Sequence, residues 1–289
     1  MRKLPAKTKF FNALRLVFRN RLAEAVLFPL TNGRSWNSFF GKLPANFYQY
    51  PKNSWRKVKR NGFEFRLDIS DYMQWLIYFG LKAEPREVLY KLIRPGMTIL
   101  DIGANIGETT LAFSRLTGEN GQVISFEPDP VTFLRLQEHL ELNNCKNVIA
   151  INKGLGNSES EMILEKGENN SGGNRISPLQ TSGEQISITT LDKIYHGVNI
   201  TSLDFIKIDV EGYELHVLEG GKETIGKFKP EFFIELVDDF LRDQGNSSSA
   251  LVKFLEERNY AVTSAENGEK ISSQTDFSKT HFDIIAVPA

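Results

Sequence analysis

Asp101, followed by Gly103, Ala104, Asn105 and Gly107, is the first group in this sequence whose residue types could do chemistry. An acid closes an apolar stretch, and glycines then let the backbone turn sharply and approach a ligand without an intervening side chain. A nicotinamide fingerprint, G-x-G-x-x-G, would need glycine where Asn105 and Glu108 stand. A phosphate loop would need a lysine, and none occurs between Asp101 and Thr110. The segment carries two acids and no cation. A phosphate ~4 Å from either acid would meet about 1 kcal/mol of repulsion in water, and ~4 kcal/mol at an effective dielectric of about 20. The turn therefore favours a ligand with an ammonium and a sulfonium. S-adenosylmethionine carries both, and its carboxylate can use the N–H groups at the helix start.

Two further groups extend this site. Glu127, with Pro128 after it, lies 26 positions beyond Asp101, where α/β nucleotide folds place an acid on ribose hydroxyls. A carboxylate can accept from both vicinal hydroxyls. Lys207-Ile208-Asp209-Val210-Glu211 is the candidate reacting region. Residues 205, 207 and 209 share one strand face, and a lysine buried there must be paired. Asp209 is expected beside the methionine end or the acceptor, with Lys207 and Glu235 orienting it; a buried ion-pair cluster that fixes strand order is the structural alternative. Asp209 and Glu235 could also share a divalent ion, but no third ligand is evident and no metal is assigned. Glu211 and Glu214 read as helix-start acids that complement the dipole.

These residues need a scaffold that brings strand ends together. Short apolar runs at 97–102, 123–126, 148–151, 205–210 and 232–236 alternate with helical patterns at 108–116, 130–142, 213–225 and 247–257, and strands at 260–263 and 282–287 close the chain. Such alternation gives a mostly parallel sheet covered on both faces, with ligands at the carboxyl ends of its strands. Residues 84–94 read as a helix, and 154–185 as an irregular excursion before a short strand at 186–190. Asn61-Gly62 marks a two-residue hairpin. The loop 169–175 could close over an acceptor, with Arg175 meeting an anionic group.

The 289 residues include one cysteine, Cys145, and four scattered histidines, which excludes a disulfide framework and any Cys- or His-rich metal site. The net charge of −1 conceals an asymmetry. Residues 1–60 hold 14 Lys/Arg and one acid, Glu24, a net of +13, against −14 for the rest. Apolar positions between 10 and 30 have helical spacing, with Arg15 and Arg19 on the other face. The arginines break any run long enough to span a membrane, and Glu24 interrupts any signal peptide. The segment is expected either to pack on the main domain or to lie on an anionic membrane surface. The domain division expected is a basic helical extension at 1–56 and a catalytic domain at 57–289, in a protein expected in the cytoplasm, either free or at the membrane periphery.

Asp101–Gly107, Phe126-Glu-Pro128, Thr189-Thr-Leu-Asp192 and Phe205-Ile-Lys-Ile-Asp-Val-Glu-Gly-Tyr-Glu214 together resemble the FkbM family of methyltransferases. Lys229-Pro230, Ile234-Glu235 and Ile284–Pro288 extend the likeness over about residues 57–288. The resemblance implies a Rossmann-like class I α/β fold with a seven-stranded sheet. It implies S-adenosylmethionine as methyl donor, and O-methylation of a carbohydrate, glycolipid or natural-product hydroxyl. Strand three, Ile151-Asn152-Lys153, lacks the acid that many related enzymes use for adenine, leaving Asn152 as a possible substitute. Two other functions are weighed: a non-catalytic methyltransferase-like binding module, and a dinucleotide-dependent oxidoreductase, which Asn105 and Glu108 oppose. Nucleic acid is an unlikely partner, because no motif for base methylation accompanies the basic segment.

Overall fold

The computed structural model describes residues 6–82, 87–176, 183–198, 200–278 and 281–289. The chain divides into two compact units, one of residues 1–85 with Gly167–Gly172, the other of residues 86–166 with Gly173–Ala289. The boundary expected at 56/57 falls inside the first unit.

In the first unit, α1 (Ala6–Arg15) and α2 (Arg21–Thr31) replace the continuous helical pattern, separated by a 3-10 turn at Leu16–Phe18 and by Asn20. Asn20 caps α2 by accepting from Ala23 N–H, which starts a new helix rather than continuing the old one. The expected hairpin is present as β1 (Trp55–Arg60) and β2 (Phe63–Asp68). Asn61 and Gly62 both have positive φ, as its two-residue turn requires. Helix α3 (Tyr72–Phe79) follows, N-capped by Asp71 and ended by Gly80. Asp71 also accepts from the Ser171 N–H and hydroxyl, tying 167–172 into this unit.

The second unit runs α4 (Glu87–Lys91), β3 (Thr98–Ile102), α5 (Glu108–Thr117), β4 (Gln122–Phe126), α6 (Pro130–Leu142) and β5 (Val148–Ile151). It continues with β6 (Gly154–Leu155), β7 (Ser160–Glu165), β8 (Arg175–Ile176), β9 (Glu184–Thr189), α7 (Leu191–Val198), β10 (Phe205–Ile208), α8 (Glu214–Glu219) and α9 (Lys222–Phe228). It ends with β11 (Glu231–Val237), α10 (Asp238–Asp243), α11 (Ser248–Glu256), β12 (Tyr260–Ser264), β13 (Lys270–Ile271) and β14 (His281–Pro288).

The main sheet has the order β13-β12-β14-β11-β10-β3-β4-β5, parallel from β11 to β5 and antiparallel beyond β11. It is therefore a mixed sheet of eight strands among the described residues, not the seven expected. The extra strand is β13, which folds back so that Ile271 pairs with Val262. Ile99 and Phe205 pack into one core cluster, whereas Leu100, Ile102, Ile206 and Ile208 pack into another. Successive side chains thus enter opposite layers, and both faces are covered.

Three other expectations change. The stretch 154–185 is not merely irregular, because β6, β7 and β8 join β9 in a four-stranded sheet; residues 177–182 lie outside the described residues. The single helix expected at 213–225 is two, α8 and α9, broken at Gly220-Gly221. A Cβ on Gly220 would run into the Gly156 carbonyl, so the close approach demands glycine there. The helix expected at 84–94 is confined to Glu87–Lys91, residues 84–86 lying outside the described residues.

Candidate active site

The carboxyl ends of β3, β4, β10 and β11 hold nearly all the residues singled out in the sequence. On one face of the sheet, Ile99, Phe205 and Phe233 form apolar core. One step further along the strands, Lys207 stands in register with Asp101. The next positions are Asp209 and Glu235. The same face thus changes from apolar to ionic where the sheet ends.

Asp101 is wholly buried behind the first turn. Its Oδ2 accepts from the Thr109 and Thr110 hydroxyls at 2.9 and 2.6 Å. Its Oδ1 has no hydrogen-bond partner and lies 3.6 Å from the Lys207 ammonium. That geometry anchors the start of α5 and holds the lysine, with no carboxylate oxygen at the surface. Gly103 has φ +80, and a Cβ there would collide with the Asp209 carbonyl oxygen. Gly103 and Ala104 N–H both donate to the Phe126 carbonyl, at 3.1 and 2.9 Å. Asn105, also at positive φ, donates its N–H to Glu127 Oε2 at 2.9 Å and caps Ile106 N–H with its own Oδ1. Gly107, at φ +94, leads into α5. Behind the turn, the buried His139 Nδ1 lies 2.8 Å from the Ile106 carbonyl and donates to it.

Glu127 closes this half of the site. Its Oε1 accepts from Asp129 N–H at 3.0 Å, so each carboxylate oxygen serves one amide and keeps one lone-pair direction free of them. Burial pushes its carboxyl up to about 7, although the two backbone N–H groups favour the ionised form. The helix-start charge is supplied by Asp129 instead, which caps α6 through Thr132. Pro128 is half-buried, and its carbonyl, like that of Glu127, accepts from the Asn152 amide.

The second half is built around Lys207, which is 4% exposed. Its ammonium donates to the Gly103 carbonyl at 2.9 Å and lies 3.1 Å from Asp209 Oδ2. One buried cation thus joins both turns. Asp209 itself is 40% exposed, so its carboxylate is open to a ligand as well as to Lys207. Glu235 is nearby, but the ion pair that marks it is with His281 at 3.3 Å.

Glu211, expected as a helix-start acid of the candidate region, is instead the third carboxylate beside Asp209 and Glu235 that the sequence did not show. It sits at φ +54 in a turn, not at a helix start, and offers a carboxylate oxygen within 4.8 Å of those of Asp209 and Glu235. The three can hold a cation or share a proton. Gly212 was the available signal: a glycine just after a strand marks a positive-φ turn rather than a helix. Glu214 clamps this turn, its Oε1 accepting from Val210 and Gly212 N–H at 3.2 and 3.0 Å. It is 2% exposed, and burial pushes its carboxyl to about 7. Asp192 links helices, accepting from Glu223 N–H and from Thr224 N–H and hydroxyl. Arg175 lies 3.6 Å from Glu165 and 3.5 Å from Asp243, with its guanidinium over the Phe240 ring.

The model of the methyltransferase FkbM domain matches residues 101–262, more than half of the chain, and spans every residue named in these two turns. The chain belongs to the FkbM methyltransferase family. It is similar to Methyltransferase 1 of Beauveria bassiana, 27% identical over 57% of this chain and 72% of that relative. It is similar to the 2-O-methyltransferase NoeI of Sinorhizobium fredii, 29% identical over 49% of this chain and 64% of the relative. It is also similar to the hexuronic acid methyltransferase AglP of Haloferax volcanii, 30% identical over 42% of this chain and 48% of the relative. The chain thus spans between about half and three quarters of the length of these relatives.

As an FkbM methyltransferase the chain takes S-adenosylmethionine as its cofactor, and the residues present fit that molecule. An amide-held, buried acid at Glu127 suits a pair of hydroxyls, and glycine backbone lines the turn. The three carboxylates at 209, 211 and 235 give the neighbouring reacting end a negative potential, which suits the donor's sulfonium. Among the described residues, no helix is long and apolar enough to cross a membrane.

Proposed function

We propose that this FkbM methyltransferase O-methylates a hydroxyl of a carbohydrate-containing acceptor, with Asp209 as the proton-accepting group. The observation that carries this reading is the exposed Asp209 carboxylate, held by buried Lys207 beside Glu211 and Glu235, next to the turn that fits the donor. The two relatives whose names give a substrate or position, a 2-O-methyltransferase and a hexuronic acid methyltransferase, support a sugar hydroxyl.

S-adenosylmethionine supplies a methyl group already activated by its sulfonium. The protein has to align an acceptor oxygen and remove its proton. Glu127 and the 103–107 turn hold the nucleoside and amino-acid ends. Lys207 aims Asp209 by charge-assisted contact, while Glu235, steadied by His281, orients the acceptor hydroxyl. The basic N-terminal segment is the part we assign to contact with an anionic membrane surface, where a lipid-linked glycan would be presented.

Calorimetry with S-adenosylmethionine and with NAD tests the donor, and transfer of labelled methyl to a panel of uronic acids, oligosaccharides and glycolipids tests the acceptor. Binding of NAD alone would exclude the reading. Label that appears only in protein or nucleic acid would exclude a glycan acceptor.

A further inference from the structure

Helix α2 buries a charged side chain and leaves several apolar ones outside, unlike a helix that serves only to fill a core. Its buried positions are Glu24, Leu27 and Thr31. Glu24 is wholly buried, gripped by Arg56 through both carboxylate oxygens at 2.9 and 3.0 Å and accepting from the Tyr78 hydroxyl at 2.9 Å. Thr31 donates to the Phe79 carbonyl. Leu27 and the half-buried Phe28, whose ring lies against Tyr78 and Phe79, face inward, yet most outward positions are apolar as well. Leu22 is 83% and Val26 67% exposed, and Ala25, Pro29 and Leu30 are exposed with them. Spacings of three and four put these residues on one helix face. Before α2, Phe10, Leu14 and Val17 repeat the pattern, with Val17 69% exposed.

Charge identifies what this face meets. Glu24 is the only acid among residues 1–60, and it is consumed internally by Arg56. Arg15 and Arg19 donate to the carbonyls of Lys42 and Gln49, bonds that fix the side chains without neutralising them. Arg21 is exposed at the start of α2. A second copy of the same face would bring a segment of net +13 against its equal, which disfavours self-association. An apolar strip flanked by fixed arginines instead matches an anionic lipid headgroup region.

We propose that this face docks on the surface of an anionic bilayer. Leu22, Val26, Leu14 and Val17 enter the headgroup boundary, and the exposed Arg19 and Arg21 meet lipid phosphates. The proposal rests on the membrane contact assigned above and deepens it by naming the face and the lipid charge. It is independent of the donor chemistry.

The test is co-sedimentation of the full chain with phosphatidylcholine vesicles, with and without phosphatidylglycerol. Wild type is expected to pellet with the anionic vesicles and to be released by salt. Leu22→Glu/Val26→Glu should weaken this binding about tenfold or more, and Arg21→Glu about fivefold or more. All three positions are exposed, and an acid at 21 complements the helix start, so folding should be retained. S-adenosylmethionine affinity, measured on the same samples, should be unchanged; its loss in wild type would count against the donor reading and not against this one. Equal pelleting of wild type and both variants would overturn the proposal. So would indifference to phosphatidylglycerol, or a wild-type dimer that Leu22→Glu/Val26→Glu dissociates while vesicle binding persists.

Discussion

Two strand-end turns, 103–107 after β3 and 209–214 after β10, solve one backbone problem with the same parts. Each contains residues at positive φ, a glycine pressed against a neighbouring carbonyl, and a buried glutamate that accepts two backbone N–H groups. Both glutamates are pushed to about 7 by burial. They differ in where the glutamate comes from. Glu127 reaches across from the end of β4, and its two oxygens serve amides of two different segments. Glu214 lies in the next helix and gives a single oxygen to both amides of its own turn. The first arrangement leaves each oxygen able to meet a ligand, and the second closes the carboxylate inside the protein. On the function proposed above, similar side chains with similar proton affinity would serve recognition in one turn and architecture in the other.

The most damaging way to break this parallel is Gly103→Ala. Positive-φ strain and collision with Asp209 should together cost about 3 kcal/mol or more and abolish cofactor binding. Gly212→Ala, pressed against the Phe240 carbonyl, should destabilise comparably but leave the folded fraction binding S-adenosylmethionine. Thermal unfolding followed by calorimetry separates the two, and equal binding by both variants would remove the first turn from the donor site. Asp209→Asn should lower turnover about 10²- to 10⁴-fold while cofactor affinity stays within about threefold. A lower melting temperature with unchanged turnover would make the Lys207 cluster structural.

Glu127→Gln should weaken S-adenosylmethionine by about 1.5–3 kcal/mol, whereas Glu214→Gln should leave its affinity nearly unchanged. Wild-type affinity should rise with pH through about 7 as Glu127 ionises, and that rise should vanish in Glu127→Gln. The last effect is on stability and shows only as a pH dependence. A carboxyl raised from 4.5 to about 7 keeps a proton that the unfolded chain releases, so stability falls as pH rises across that interval and then levels. For Glu214 the fall is at most about 3 kcal/mol, and denaturant titrations of Glu214→Gln should show a flatter profile.

The parallel strands were legible because β3, β4, β10 and β11 are short apolar runs buried in two layers, with helical patterns between them. Of the sheet formed by β6–β9 only β9 was legible, as the short strand at 186–190, because β7 and β8 are half-buried and their side chains do not alternate cleanly. Asp101 and Lys207 were visible as ions in apolar strands. That Asp101 would face inward, to Thr109, Thr110 and Lys207, depends on register with β10 across more than a hundred residues. Glu211 was misread because a helix start and a positive-φ turn can present the same residue types. For α2 the sequence left both packing on the main domain and lying on a membrane surface open, and it did not show that Glu24 would be buried while Leu22 and Val26 stay exposed.

The hydrogen bond from Lys207 to the Gly103 carbonyl joins residues 104 positions apart. The turn and Glu127, by contrast, come from one strand–helix–strand stretch of 27 residues. During folding, the nucleoside-facing half can therefore assemble from neighbouring sequence, while the half around Asp209 waits for the closure of a very long loop. Of the two, only the later event puts Asp209, the proposed proton acceptor, beside the donor turn. A chain arrested before β10 docks would have the means to recognise the nucleoside end but no reacting group, so competence for transfer should appear in refolding after competence to bind.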